Sequence, residues 1–246
     1  MMKPREVISV SNIFKSFGDN HVLRDFSLTL REGENLAILG KSGSGKSVLI
    51  KCIINLIEPD CGNIVVLDED VSGLSQDLLD QLRARVGFLF QSNALYDSMT
   101  VRENLEFPLR RHWSPAQKAS GSEKAVLEAL EDVGLAHTID MMPSELSGGM
   151  RKRIALARTL ILKPSIILYD EPTTGLDPIT AKEISNLIVK VQRKYNTASI
   201  IISHDMTCIR ITSNRVVMLI DGKAYADDTY SELKTVKDSR IKEFFE

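Results

Sequence analysis

Short apolar runs bounded by turn residues recur along the chain and alternate with stretches of helical spacing. Val7 to Val10, Ser27 to Leu30, Leu36 to Leu39, Ile64 to Leu67, Ile166 to Tyr169, Ser199 to Ile202 and Val216 to Ile220 read as strands. A helix is predicted from Lys46 onward. Another covers Pro178 to Tyr195, where Ile184, Leu187, Ile188, Val191 and Tyr195 recur at helical intervals and mark one apolar face. Strands alternating with helices predict an α/β fold with a largely parallel central sheet.

Between Ser92 and about Leu162 the strand pattern stops and helical spacing takes over, with Val126, Leu127, Leu130 and Val133 on one face. The expectation is one domain whose core comprises residues 1–91 and 163–246, with residues 92–162 inserted as a helical subdomain. Within the insert, Ser114 to Ser122 reads as a polar surface connection. No internal repeat of solenoid or propeller length is present in the sequence.

Composition narrows the class. The 246 residues are 43% hydrophobic and 26% charged with a net charge of −2, which suits an ordinary globular chain. That balance lacks the basic footprint of a protein held to nucleic-acid phosphates, so no nucleic-acid partner is expected. No apolar stretch is long enough to span a membrane, and the start lacks the apolar segment of a secretory signal, so a soluble chain is expected. Cys52, Cys61 and Cys208 have no paired spacing, which predicts neither a disulfide framework nor a zinc site.

Gly40-Lys41-Ser42-Gly43-Ser44-Gly45-Lys46-Ser47 fits the phosphate-binding pattern G-x-x-x-x-G-K-[ST] and lies between an apolar strand and a helix, the context that the pattern requires. Glycines there let successive backbone N–H groups turn toward a polyphosphate, and the helix N-terminus adds its positive dipole end. Lys46 is expected to reach the β- and γ-phosphates and Ser47 to ligate Mg²⁺. The loop alone does not choose among kinases, GTPases and ATPases, because all use this cradle.

Two further blocks bear on that choice. The strand Ile166 to Tyr169 ends in Asp170 and Glu171, at the strand edge where ligands of parallel sheets sit. Asp170 suits the Mg²⁺ shell and Glu171 suits a general base acting on water. An acidic pair after a strand is also a common helix cap or turn. Leu146-Ser147-Gly148-Gly149-Met150-Arg151 places a hydroxyl and glycine amides at a helix start, which forms a second anion site. Taken alone, Ser147 is equally an ordinary helix N-cap.

With the phosphate loop, then L-S-G-G-x, then the acidic pair along the sequence, the chain resembles the ATP-binding-cassette family over essentially its whole length. The resemblance implies a P-loop NTPase fold with an antiparallel β portion beside the central sheet. It also implies that ATP is held with Mg²⁺ between the phosphate loop of one copy and the signature Ser147, Gly148 and Gly149 of a second copy, arranged head to tail. Phe17 corresponds to the aromatic that stacks on adenine, and outside this context it would read as a core aromatic. Gln91 corresponds to the Q-loop glutamine that touches Mg²⁺ and relays to a permease, Gly175-Leu176-Asp177 to the D-loop, and His204 to the switch histidine on the γ-phosphate. An isolated His204 would read as a satisfied polar residue at a strand end. His21, His112 and His137 occupy no motif position.

The flanks carry a narrower resemblance. Phe90 to Asn104, Met150-Arg151-Lys152-Arg153 and Asp170 to Pro178 are similar to the Mla/MCE-associated phospholipid-transport ATPases, also known as toluene-tolerance or organic-solvent-resistance proteins. This implies an integral-membrane permease and an MCE-domain lipid-binding protein as partners, at the cytoplasmic side of the inner membrane. Ser239 to Phe245 resembles the start of that group's terminal segment and the sequence stops at Glu246, so a longer tail clasping the neighbouring ATPase is expected to be absent or reduced. The alternatives are an ABC ATPase for another cargo such as an amino acid, a soluble ABC ATPase acting on nucleic acid, and a small-molecule P-loop kinase. The last leaves the signature and His204 unexplained.

Overall fold

The computed structural model describes residues 5–246; residues 1–4, which include most of the start read for a secretory signal, lie outside it. Among the described residues, ten strands run in the order β1 (Glu6–Phe17), β2 (Asn20–Arg31), β3 (Asn35–Leu39), β4 (Cys61–Val66), β5 (Glu69–Asp70), β6 (Val86–Leu89), β7 (Ile166–Asp170), β8 (Ala198–Ile202), β9 (Arg215–Ile220) and β10 (Lys223–Asp228). Between and after them lie nine α-helices. These are α1 (Lys46–Ile53), α2 (Gln76–Ala84), α3 (Val101–His112), α4 (Pro115–Asp132), α5 (Gly148–Leu160), α6 (Pro178–Tyr195), α7 (Met206–Thr212), α8 (Tyr230–Thr235) and α9 (Ser239–Lys242).

Six strands form the central sheet in the order β10-β9-β3-β8-β7-β6. The pairs β9/β3, β3/β8, β8/β7 and β7/β6 are parallel, and β10 joins β9 antiparallel. A second sheet, β2-β1-β4-β5, is antiparallel throughout. This is the α/β architecture expected from the alternating pattern, with its antiparallel portion.

The parallel strands are largely apolar because both faces of their sheet are covered. Along β7, Ile166 and Leu168 pack with α1 and the antiparallel sheet, while Ile167 and Tyr169 pack under the helices between β6 and β7 and under α6. In β3, Leu36 and Ile38 join the first cluster, and Ala37 and Leu39 face α7 and the C-terminal helices. Each strand therefore alternates between two cores, and the C-terminal ends of β3, β7 and β8 converge on one edge.

Three expectations are corrected. Ser114 to Ser122 is helical: Ser114 caps α4, its hydroxyl accepting from the Gln117 amide while the Gln117 side chain accepts from the Ser114 amide, with Pro115 in the first turn. Ser-Pro-x-Gln is a helix start here, although it resembles a turn in composition. On that helix Val126 and Leu130 are buried and Val133 just past it is too, but Leu127 is exposed. Strands β1 and β2 are also far longer than Val7 to Val10 and Ser27 to Leu30, because bulges break their alternation.

Candidate active site

The phosphate loop leaves β3 and closes on α1. Gly45 caps α1 at φ 102°, a region favouring glycine, and a Cβ there would lie 2.5 Å from the Val22 side chain. The loop thus depends on β2 being close behind it. Lys46 turns back over the loop, donating to the Gly40 carbonyl at 2.7 Å and the Lys41 carbonyl at 3.0 Å. It is buried, and among the described residues it forms no ion pair with a carboxylate. Burial lowers its pKa, while Glu171 and Asp170 act in the opposite sense. A buried ammonium in this state favours an anion. The Ser44 hydroxyl beside it is buried with no hydrogen-bond partner among the described residues.

Two carboxylates arrive from β7. Asp170 accepts from the Ser47 hydroxyl at 3.0 Å; burial pushes its carboxyl up, and that hydrogen bond pulls it down. Glu171 adopts φ 52°, its amide donates to the Ile202 carbonyl at 2.9 Å, and its carboxylate accepts from Thr174 at 3.0 Å. His204, just past β8, places Nδ1 2.8 Å from the same Glu171 oxygen. The Glu171 side chain is 13% exposed and that of His204 67%, so the pair runs from the interior to the surface.

These groups surround a cavity of about 640 Å³ lined by Phe17, Asn20, Val22, Ser42, Gly43, Gly45, Lys46, Ser47, Val48, Gln91, Glu171 and His204. That volume suits a small-molecule ligand. Phe17, the last residue of β1, is half exposed at its edge, with the Lys15 ammonium 5.4 Å from its ring centre. Lys41 turns its side chain away to Glu243 at 2.8 Å, and contributes only its carbonyl to the Lys46 pose. The unneutralised Lys46 and the orphan Ser44 hydroxyl fit a polyphosphate. The hard oxygens of Ser47 and Asp170 fit Mg²⁺, which is usually held by one or two carboxylates together with substrate phosphates.

The remaining predicted residues are elsewhere. Ser147 caps α5, its hydroxyl accepting from the Met150 amide at 3.2 Å. With Gly148 and Gly149 it borders a second cavity of about 550 Å³, shared with Gly175, Leu176 and Asp177, that has no lining residue in common with the first. Gly149 packs so closely on α6 that a Cβ would lie 2.6 Å from the Thr180 methyl. The phosphate loop and the L-S-G-G segment of one chain therefore line two separate cavities.

Sequence reasoning missed Asn20, Val22, Thr174 and Lys152. Asn20 and Val22 belong to the part of β2 hidden by its bulge. Thr174 had no signal beyond its place after the acidic pair. Lys152 had none, standing between Arg151 and Arg153 in the sequence: it is 2% exposed and donates to the Gln91 carbonyl at 3.0 Å. Burial lowers its pKa.

The sequence profile described as ABC transporter matches residues 23–174. The chain belongs to the ABC transporter family. Among curated relatives in this family, the probable ribonucleotide transport ATP-binding protein mkl of Mycobacterium tuberculosis is 40% identical over 212 residues, 86% of this chain and 58% of mkl. The chain thus spans little more than half of that relative. The intermembrane phospholipid transport system ATP-binding protein MlaF of Haemophilus influenzae is 36% identical over 240 residues, 98% of this chain and 90% of MlaF. The methionine import ATP-binding protein MetN of Campylobacter jejuni is 35% identical over 252 residues, 97% of this chain and 75% of MetN. In three dimensions, a dimeric ATP-binding cassette in a post-hydrolysis state bound to ADP and Pi matches with a TM-score of 0.81 at 31% identity, over 90% of this chain and 98% of that one. CbiO1 of Clostridium perfringens, part of the ABC transporter complex cbiONQ, matches with a TM-score of 0.85 at 28% identity, over 96% of this chain and 92% of that one. The ABC cassette fold is therefore shared in sequence and in space.

Proposed function

We propose that this chain is the ATP-binding and ATP-hydrolysing subunit of an ABC transporter, closing head to tail on a second copy to drive a separate membrane permease. The observation that carries the hydrolytic reading is the Glu171–His204 pair, 2.8 Å apart, at the wall of the cavity that the phosphate loop lines. In this reading Lys46 and the loop amides bind the β- and γ-phosphates, and Phe17 stacks on the base. Ser47, Asp170 and Gln91 hold Mg²⁺, which when bound neutralises phosphate charge. Glu171 accepts a proton from water as the water oxygen bonds to the γ-phosphorus and the bond to ADP breaks. His204 steadies the Glu171 carboxylate and reaches the γ-phosphate. Ser147, Gly148 and Gly149 of the second copy close the site, and phosphate release lets it open.

The cargo proposed is phospholipid, delivered through an MCE-domain lipid-binding protein. Support comes from the match to MlaF across nearly the whole of both chains. MetN, matched over 97% of this chain, favours an amino-acid cargo as a second reading. Residues 92–162 serve in this account as the helical subdomain that meets the permease. Tyr96 and Phe107, an exposed aromatic pair with ring centres 4.7 Å apart, suit that contact. No helix among the described residues is long and apolar enough to cross a membrane, so a place at the cytoplasmic side of the inner membrane would depend on the permease. Affinity capture of this chain from detergent-solubilised membranes of its own source tests the cargo. A multi-span permease, an MCE-domain protein and enriched phospholipid are expected. A soluble amino-acid-binding protein with no enriched lipid would replace the lipid reading by the second one.

A further inference from the structure

Helix α5 starts at the signature, and the same helix holds the segment that carries Gln91. Lys152 donates to the Gln91 carbonyl at 3.0 Å. Nearly two turns further on, Arg158 donates to the Ala94 carbonyl at 2.7 Å and the Asn93 carbonyl at 3.1 Å. Asn93 and Ala94 both stand at positive φ, 64° and 52°, so this stretch follows no regular ladder and depends on such contacts for its course. Two cations of one helix therefore fix three carbonyls within four residues of chain.

Lys152 is the costlier of the two as a purely structural choice. It is 2% exposed, and among the described residues its ammonium has one carbonyl partner and no ion pair. Removing an ammonium from water is expensive, and apolar side chains of similar volume commonly replace buried charges with no loss of stability. A methionine would fill the same space without that penalty. A rule broken locally beside a reaction centre points to a role in the reaction.

We propose that Lys152 is a positioning residue: by holding the Gln91 backbone it ties Gln91 in this chain's own nucleotide site to the helix that presents Ser147 to the partner's nucleotide. The inference rests on the hydrolytic reading above. It gives the two sites of a dimer a direct mechanical link. When the signature end of α5 seats on the partner's phosphate, the same rigid helix carries Gln91 with it through Lys152. Lys152 itself touches neither nucleotide nor metal in this account.

Lys152→Met removes the donor at similar volume, and Lys152→Arg keeps a donor. For the full chain carrying Lys152→Met, kcat should fall about 10- to 100-fold, the range for losing a group that orients a ligand-bearing residue. ATP affinity and the thermal midpoint should not fall, and Lys152→Arg should recover part of the rate. Hydrogen exchange in the absence of nucleotide should quicken at the amides of residues 91–95 and nowhere else in Lys152→Met. In a Gln91→Ala background, Lys152→Met should slow hydrolysis no further. An unchanged kcat, a lowered midpoint with exchange quickened throughout, or full multiplication of the two defects would overturn the proposal. If the unaltered chain hydrolyses no ATP, the functional reading fails by itself. The exchange experiment then decides separately, with unchanged protection of residues 91–95 overturning the positioning role.

Discussion

Glu171 sits in the left-handed backbone region at φ 52°, where a non-glycine residue carries strain of order 1–3 kcal/mol and persists only if its surroundings hold it there. They do: Ile202 takes its amide, while Thr174 and His204 take its carboxylate. Glu171→Gln keeps the shape and most of these contacts but removes the proton acceptor. Hydrolysis should slow roughly 10²- to 10⁴-fold with nucleotide binding retained, as for loss of a positioned general base. Near-normal turnover in the assembled complex would remove Glu171 from that role. Phe17 is half exposed, so it adds little to the core. Phe17→Ala should weaken ATP and GTP binding alike by roughly 1–3 kcal/mol, the scale of base–aromatic stacking. Unchanged affinity with a lowered thermal midpoint would make the ring a packing residue. Glu171 was legible as a candidate from its place at the end of an apolar strand, whereas Phe17 was named only through the family resemblance. Lys152 was not legible, since its burial follows from how α5 lies on the segment after β6, and no spacing encodes that.

At the scale of elements, legibility followed regularity. Four of the five parallel strands, β3, β7, β8 and β9, were plain because their buried positions are nearly all apolar, whereas β6, with Gly87 and Phe88 only partly buried, was not read as a strand. Most of β1 and β2 was hidden because Asn12 and Asp25 stand at positive φ, hydrogen-bonded to each other at 2.7 Å, and shift the inward positions out of period. Phe17, Asn20 and Val22 lie beyond that break. Helix starts depend on short polar signals: Thr100 and Glu103 cap α3 reciprocally, as Ser114 and Gln117 cap α4. Thr100→Ala should cost roughly 0.5–2 kcal/mol in urea unfolding, with Thr100→Ser recovering most of it. No change in midpoint would mean that packing of Val101 and Leu105 alone fixes where α3 begins.

At the scale of the whole molecule, the decisive feature is that the phosphate loop and the Ser147–Gly149 segment line two cavities with no shared lining. The signature of the same chain is not among the walls of the first cavity. In the proposed head-to-tail dimer two copies would complete two sites at once, so that neither surface alone would account for hydrolysis. The motifs made both surfaces legible, whereas their separation could be seen only once β6, α5 and α6 were placed. Mixing two inactive variants tests this account most directly. Lys46→Ala disables the phosphate loop, and Ser147→Arg blocks the signature while leaving that chain's own ATP site intact. Each alone should be inactive, with Ser147→Arg still binding ATP. An equal mixture should regain about a quarter of the unaltered rate, because half of the dimers are mixed and each of those has one intact site. A Ser147→Arg chain that by itself hydrolyses ATP at the unaltered rate would contradict the composite site.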